Sequence, residues 1–185
     1  MINVNDLKKG VVIEYDGKLM EIKEFMHVLQ NKVAYVRVKM KDLRTGSIME
    51  TALKGSDSAF KKCFIEKKEM QYLFASGDSY TFMDNETYEQ IEIPAARMEW
   101  EKNFLLEGTN VNVRFYETEI LDIILPDKVE LTVTNTDPAV KGNTKTNALK
   151  DATVETGYTL KVPMFINNGE KIIVNTDTGE YSSRA

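Results

Sequence analysis

Hydrophobic and polar residues alternate with a period of two along most of this chain, in short runs broken by turn signals about every 8–12 residues, the pattern of small β-barrels or sandwiches. Residues 11–15 and 18–25 read as two strands joined by Asp16-Gly17, a dipeptide that favours a tight hairpin because glycine accepts φ > 0 without steric cost. In residues 33–40, Val-Ala-Tyr-Val-Arg-Val-Lys-Met, alternation sets Val36, Val38 and Met40 on one face and Tyr35, Arg37 and Lys39 on the other. A turn at Arg44-Thr45-Gly46 leads to residues 47–53, which complete a first small barrel.

The pattern restarts at Phe64. Hairpin turns fall at Ser76-Gly77-Asp78 and at residues 83–86, and residues 110–116 and 119–125 read as further strands. Residues 95–106 predict the one helix, with Pro94 at its first turn, Met98, Phe104 and Leu105 towards one side, and Gly108 as its stop. After Pro126-Asp127, residues 129–133 alternate cleanly, and residues 159–166 and 171–175 recover the strand pattern around turns at Asn167-Asn168-Gly169 and Asp177-Thr178-Gly179. The polar stretch 135–155 between them reads either as a functional loop or as a disordered one. The expected architecture is all-β, three small β modules in series over residues 1–63, 64–127 and 128–185.

Composition excludes several classes. With 42% hydrophobic and 29% charged residues the chain resembles an ordinary globular protein. Its longest apolar runs are a few residues, against roughly 20 for a membrane span, and the first ten residues carry no apolar stretch of signal-peptide length. The single Cys63 forms no internal disulfide, which suits a reducing compartment, so a cytoplasmic protein is expected. The net charge of −5 speaks against polyanion binding until it is divided by module. Residues 1–63 hold 12 Lys/Arg against 8 Asp/Glu, giving +4; residues 64–127 hold 5 against 14, giving −9; residues 128–185 hold 7 of each. Local positive potential decides such binding, so the first module is the candidate RNA face, while the acidic middle is held off phosphates or meets a basic partner.

The search for chemistry is short. His27 and Cys63 are the only residues of their types, which leaves no Cys/His zinc site and no Cys-His pair outside His27. No Walker-type or Gly-x-Gly-x-x-Gly loop is present. Neither a metal nor a cofactor is expected. Cys63 reads as a structural thiol and Trp100 as packing. Paired carboxylates in residues 64–127 leave a hydrolase open, and a single-strand-binding OB module is a second alternative, though residues 64–185 lack the basic surplus it needs.

Several stretches occur in one order: Phe25-Met26-His27-Val28, Val36-Arg37-Val38-Lys39, Leu43-Arg44-Thr45-Gly46, Glu69-Met70-Gln71-Tyr72-Leu73, Phe82-Met83-Asp84-Asn85-Glu86-Thr87-Tyr88-Glu89-Gln90, Thr136-Asp137-Pro138 and Thr178-Gly179-Glu180-Tyr181. Through them the chain resembles the bacterial elongation factor P family across nearly its whole length. The resemblance implies a KOW/SH3-like barrel followed by two OB-fold barrels, arranged as an L of tRNA-like outline. It implies a monomeric factor that is not itself an enzyme. Such a factor binds the 70S ribosome between the P and E sites and promotes peptide-bond formation on nascent chains stalled at consecutive prolines, by positioning the CCA end of the P-site peptidyl-tRNA.

Carried over residue by residue, the resemblance makes Lys32 the tip lysine that positions the CCA end and that a lysine-modifying enzyme could extend. Gln30, Asn31 and Val33 flank it. The family tip reads Lys-Pro-Gly-Lys-Gly, whereas this chain reads Leu29-Gln30-Asn31-Lys32-Val33 and is one residue shorter, so the turn is expected to differ in shape. Arg37, Lys39, Lys41 and Arg44 are expected phosphate contacts to tRNA or rRNA. Gly142, Asn143 and Thr144 stand where the family's Lys-Gly-Asp-Thr loop meets the E-site codon of the mRNA. Tyr181 and Arg184 match a C-terminal pattern implied to touch the small subunit. The run from Asp84 to Gln90 reads as a fold signature or a contact surface.

Overall fold

The computed structural model of the protein describes residues 1–55, 57, 59–139 and 148–185. Fifteen strands form three five-stranded sheets among these residues. Chain contacts gather into two compact units, Met1–Lys68 with Val113–Asp122, and Glu69–Asn112 with Ile123–Ala185.

The first sheet contains β1 (Val12–Tyr15), β2 (Lys18–Gln30), β3 (Val33–Asp42), β4 (Ile48–Lys54) and β5 (Lys61–Cys63), in the order β4-β3-β2-β1-β5. Its alternation holds as expected. Val36, Val38 and Met40 point inward and pack with Ile13, Met20, Ile22 and Leu53, while Arg37 is exposed on the opposite face. Each such buried side chain contributes on the order of 1.5–3 kcal/mol relative to exposure. Asp16-Gly17 forms the predicted hairpin turn, with φ of 51° and 72° at the two residues and Tyr15 paired to Lys18. A second cluster, Val12, Leu19, Leu43, Cys63 and Leu121, covers the other side of this unit; Cys63 is buried there as a structural thiol.

One half-buried ionic network lies against β2. Arg114 donates to both carboxylate oxygens of Asp122 at 2.7 and 2.6 Å and to Glu21 at 3.3 Å, and Lys23 lies 2.9 Å from Glu21. Burial works to raise the Glu21 carboxyl, but the Lys23 hydrogen bond and the Arg114 charge outweigh it and hold the group below its ordinary value. The Asp42 carboxylate is also held low: burial opposes ionisation, while the N–H groups of Arg44 and Thr45 donate to it at 2.8 and 3.3 Å.

The middle sheet contains β6 (Glu66–Ser76), β7 (Ser79–Asp84), β8 (Gln90–Pro94), β9 (Asn110–Tyr116) and β10 (Glu119–Ile124), in the order β10-β9-β6-β7-β8. The helix expected over residues 95–106 does not form. Two short 3₁₀ turns, Ala95–Arg97 and Glu101–Phe104, take its place. Apolar spacing over twelve residues cannot hold a helix by itself, and side-chain anchoring decides the path here. Phe104 enters the core of the third sheet, and the Trp100 indole packs edge-on to Phe104 and Tyr158 while its N–H donates to the Thr176 carbonyl at 2.9 Å. Trp100 is thus a packing residue, as expected.

The third sheet contains β11 (Lys128–Thr136), β12 (Leu149–Val154), β13 (Thr159–Pro163), β14 (Lys171–Asn175) and β15 (Tyr181–Arg184), in the order β13-β12-β11-β14-β15. Edge strands β13 and β15 come into contact, curling the sheet around Leu131, Val133, Val154, Val162, Ile166, Ile172 and Val174. The polar stretch after residue 135 contains β12, a strand that alternation concealed.

Candidate nucleic-acid interface

Strands β2 and β3 continue pairing past the edge of their core. The ladder runs from Met20 opposite Asp42 to Gln30 opposite Val33, with one bulge between Ile22 and Glu24. Burial stops long before the ladder does. Residues 24–27 and 29–34 are exposed, and Met26, Leu29 and Val33 retain 64, 75 and 53% of their accessible surface. The outer half of the hairpin is therefore a two-stranded arm with solvent on both faces. Such a ribbon is marginal alone, so cross-strand pairs and its turn hold its shape. Phe25 and His27 stack edge-on at 5.7 Å along one face, and on the other the Tyr35 hydroxyl donates to the Gln30 side chain at 3.4 Å.

Asn31 and Lys32 are the whole turn. Their φ angles are 51° and 65°, and Gln30 pairs directly with Val33. Positive φ at both central residues is the signature of the two-residue I′ hairpin, whose twist matches that of the strands. The tip is thus tighter than a glycine-rich loop. Val33 lies on the strand, where a β-branched side chain is unstrained, and Asn31 is among the few non-glycine residues that accept the left-handed region. Lys32 has no such tolerance and bears a cost of about 1–2 kcal/mol. Its ammonium has no ion-pair partner among the described residues.

At the base of the arm a groove of about 490 Å³ is lined by Lys9, Lys23, Glu24, Phe25, Met26, Arg37, Lys39 and Glu50. The four expected phosphate contacts are not equivalent. Arg37 is paired with Glu50, and Lys39 lies 3.5 Å from Glu24. Exposed ion pairs of this kind are worth about 0–1 kcal/mol, so a phosphate can compete for either cation. Lys41, on the same sheet, is free of carboxylates among the described residues. Arg44 stands apart: its guanidinium donates two bonds to Glu119, at 2.8 and 3.0 Å, which raise its pKa further and commit it to a structural fork. Sequence reasoning missed Lys9 and Lys23. The run Lys8-Lys9-Gly10 and the position of Lys23 on β2 were the available signals.

The remaining expected residues lie on the other two sheets. Gly142, Asn143 and Thr144 lie outside the described residues. Tyr181 is partly buried against the third core. Arg184 forks to Glu170, with bonds of 2.9 and 3.2 Å, and sits 5.0 Å over the Phe165 ring. The Asp84 to Gln90 run builds the turn between β7 and β8: the Asp84 carboxylate accepts from the N–H groups of Glu86 and Thr87 at 2.8 and 3.2 Å. No group of three or more His, Cys, Asp or Glu side chains is placed to hold a metal among the described residues. Nor does any described helix have the length and apolarity to cross a membrane.

Comparison with known proteins covers each part of the chain. Family profiles described as elongation factor P (EF-P) KOW-like domain, elongation factor P (EF-P) OB domain, and elongation factor P, C-terminal match residues 3–59, 65–123 and 129–184. An elongation factor P from Exiguobacterium sp. (strain AT1b) is 47% identical over 186 aligned positions, which cover 100% of this chain and 98% of that protein. Among solved structures, eukaryotic translation initiation factor 5A from Methanococcus jannaschii is 26% identical with a TM-score of 0.50, covering 66% of this chain and 94% of that one.

Proposed function

The chain belongs to the elongation factor P family and is a translation elongation factor that acts with the ribosome; from this premise we propose that its β2–β3 arm enters the ribosome between the P and E sites and that Lys32 positions the CCA end of the P-site peptidyl-tRNA. Peptide-bond formation on chains stalled at consecutive prolines would then be promoted without a catalytic group on the factor. The gain comes from orientation: holding the acceptor end in attack geometry converts a wandering reactant into a placed one, the kind of effect that supplies several orders of magnitude in effective concentration.

One observation carries this reading. The arm extends a lysine on a ladder with both faces open, and the turn accepts a left-handed lysine where glycine is easier. Left-handed lysine at an exposed apex supports a functional reading of the position, although Asp16, Tyr88 and Glu117 share the conformation. The groove beneath, with Lys9, Lys23, Arg37 and Lys39, supports a phosphate-facing role for this module, and Lys41 extends that surface. Arg44 would reach phosphate only by leaving Glu119. The loop of Gly142, Asn143 and Thr144 would face the E-site mRNA codon, and Tyr181 and Arg184 the small subunit, with the chain monomeric, cytoplasmic and divided near residues 63 and 127.

The test is translation of a polyproline reporter with Lys32→Ala against the unaltered protein, with cosedimentation on ribosomes that hold a P-site tRNA and a vacant E site. The expected result is retained cosedimentation with lost rescue. Full rescue by Lys32→Ala would overturn the assignment.

A further inference from the structure

Inside the barrel, the register of β2 against β3 is fixed by burial, because a slip of one residue would turn either Ile22 or the pair Val38 and Met40 outward. Beyond Glu24 burial adds nothing to this constraint, and the unbroken ladder alone carries the register outward to Gln30 opposite Val33. Both faces of the arm are exposed and both carry apolar side chains, Leu29 on one and Met26 on the other, so burial does not distinguish one register from the next. The turn then decides whether the ladder closes over two residues and where the Lys32 side chain points.

We infer that Asn31 is a positioning residue for Lys32: by accepting the first left-handed position of the two-residue turn, it lets the ladder close at Gln30 and Val33 and points the Lys32 side chain forward. The inference rests on the tRNA-facing role proposed above for Lys32. A two-residue hairpin needs φ > 0 at both central positions, and Asn31 has φ of 51°. Asparagine reaches this region readily because its short amide bonds to nearby backbone, whereas a β-branched residue is excluded from it. With such a residue at 31 the chain would open into a longer loop, or the strands would slip. Either change alters the direction of the Lys32 side chain, and a slip of one residue also turns one strand of the arm over relative to the other. The bond from Tyr35 to Gln30, 3.4 Å across the last rungs, is a second lock but acts only when the turn already sets Gln30 against Val33. Asn31 thus does for a lysine-bearing tip what glycine does in an ordinary tight hairpin, and the factor needs no flexible glycine loop around its functional lysine.

The experiment uses the full chain and reconstituted ribosomes stalled before a Pro-Pro bond, with maximal rate and half-saturating factor concentration read separately. Asn31→Val is expected to lower the maximal rate at least about tenfold, as displacement of an orienting group does, while half-saturation stays within about twofold. Asn31→Gly and Asn31→Asp, which keep access to the left-handed region, are expected to match the unaltered rate, and the thermal midpoint of all three to stay unchanged because the apex touches no core. A full rate for Asn31→Val beside a slow Lys32→Ala would overturn the inference while leaving the role of Lys32 standing. So would a slow Asn31→Gly, since the amide and not the turn would then matter. A fast Lys32→Ala would instead remove the reading on which the inference rests. If Asn31→Val unfolds, Asn31→Ala takes its place under the same criteria.

Discussion

Strand β2 begins and ends in the same kind of turn, in two different surroundings. At Asp16-Gly17 both φ angles are positive, 51° and 72°; at Asn31-Lys32 they are 51° and 65°. The first turn closes a hairpin whose next residues, Leu19, Met20 and Ile22, are almost wholly buried, and it uses the glycine that the geometry favours. The second closes an exposed arm and uses lysine. The backbone is the same and the surroundings differ: the inner turn adjoins buried residues, and the outer turn places a lysine at an exposed apex.

The largest test of that contrast is a pair of truncations on one strand. Ile22→Ala is expected to cost about 2–5 kcal/mol because it opens a cavity in a packed core. Leu29→Ala, seven residues along, is expected to change the unfolding free energy from urea titration by less than about 0.5 kcal/mol, since little of the Leu29 surface is buried. A comparable loss at Leu29 would mean that the arm packs against something in solution.

Next comes an exchange of turn residues. Gly17→Lys is expected to destabilise by about 1–2 kcal/mol; the site is open, with nothing within 4 Å of an added Cβ, so the cost is conformational alone. Lys32→Gly is expected to act in the opposite direction by about 0.5–1 kcal/mol, read as severalfold slower amide exchange along residues 24–35. Equal signs for the two substitutions would break the parallel between the turns.

The smallest effect is one of pH. Glu21 and Asp42, at the inner end, have folded pKa values held below their ordinary ones. Their contribution to stability is therefore present above the ordinary carboxylate range and is lost as pH falls through the lower folded values. Urea midpoints for the unaltered protein and Glu21→Gln are expected to differ most near neutral pH and to converge towards about pH 3. A gap that widens on acidification would contradict the sign.

Much of this was legible before any coordinates. Alternation at Val36, Val38 and Met40 and the Asp-Gly turn located the first sheet, because burial on one face and glycine's freedom leave direct marks in sequence. Other elements left weaker marks. In β12 the inward positions are Lys150, Ala152 and Val154, and a buried lysine bonded to the Asp137 carbonyl disguises the period. The 95–106 segment reads as a helix because Met98, Phe104 and Leu105 sit at plausible spacing, yet Phe104 is buried in the third core and Trp100 is anchored to the Thr176 carbonyl, which no local pattern records. At the candidate interface, the place of Lys32 in a hairpin turn was legible from its spacing to His27, while the pairing of Arg44 with Glu119 joins positions 75 apart and could only be seen in three dimensions.

The most direct measurement is the rate of Pro-Pro bond formation on reconstituted ribosomes with Lys32→Gly at saturating concentration. The expected result is a better-ordered arm, unaltered ribosome binding and a rate lowered at least about tenfold, equivalent to about 1.4 kcal/mol of barrier. A glycine tip that accelerates the reaction as well as lysine does would contradict it.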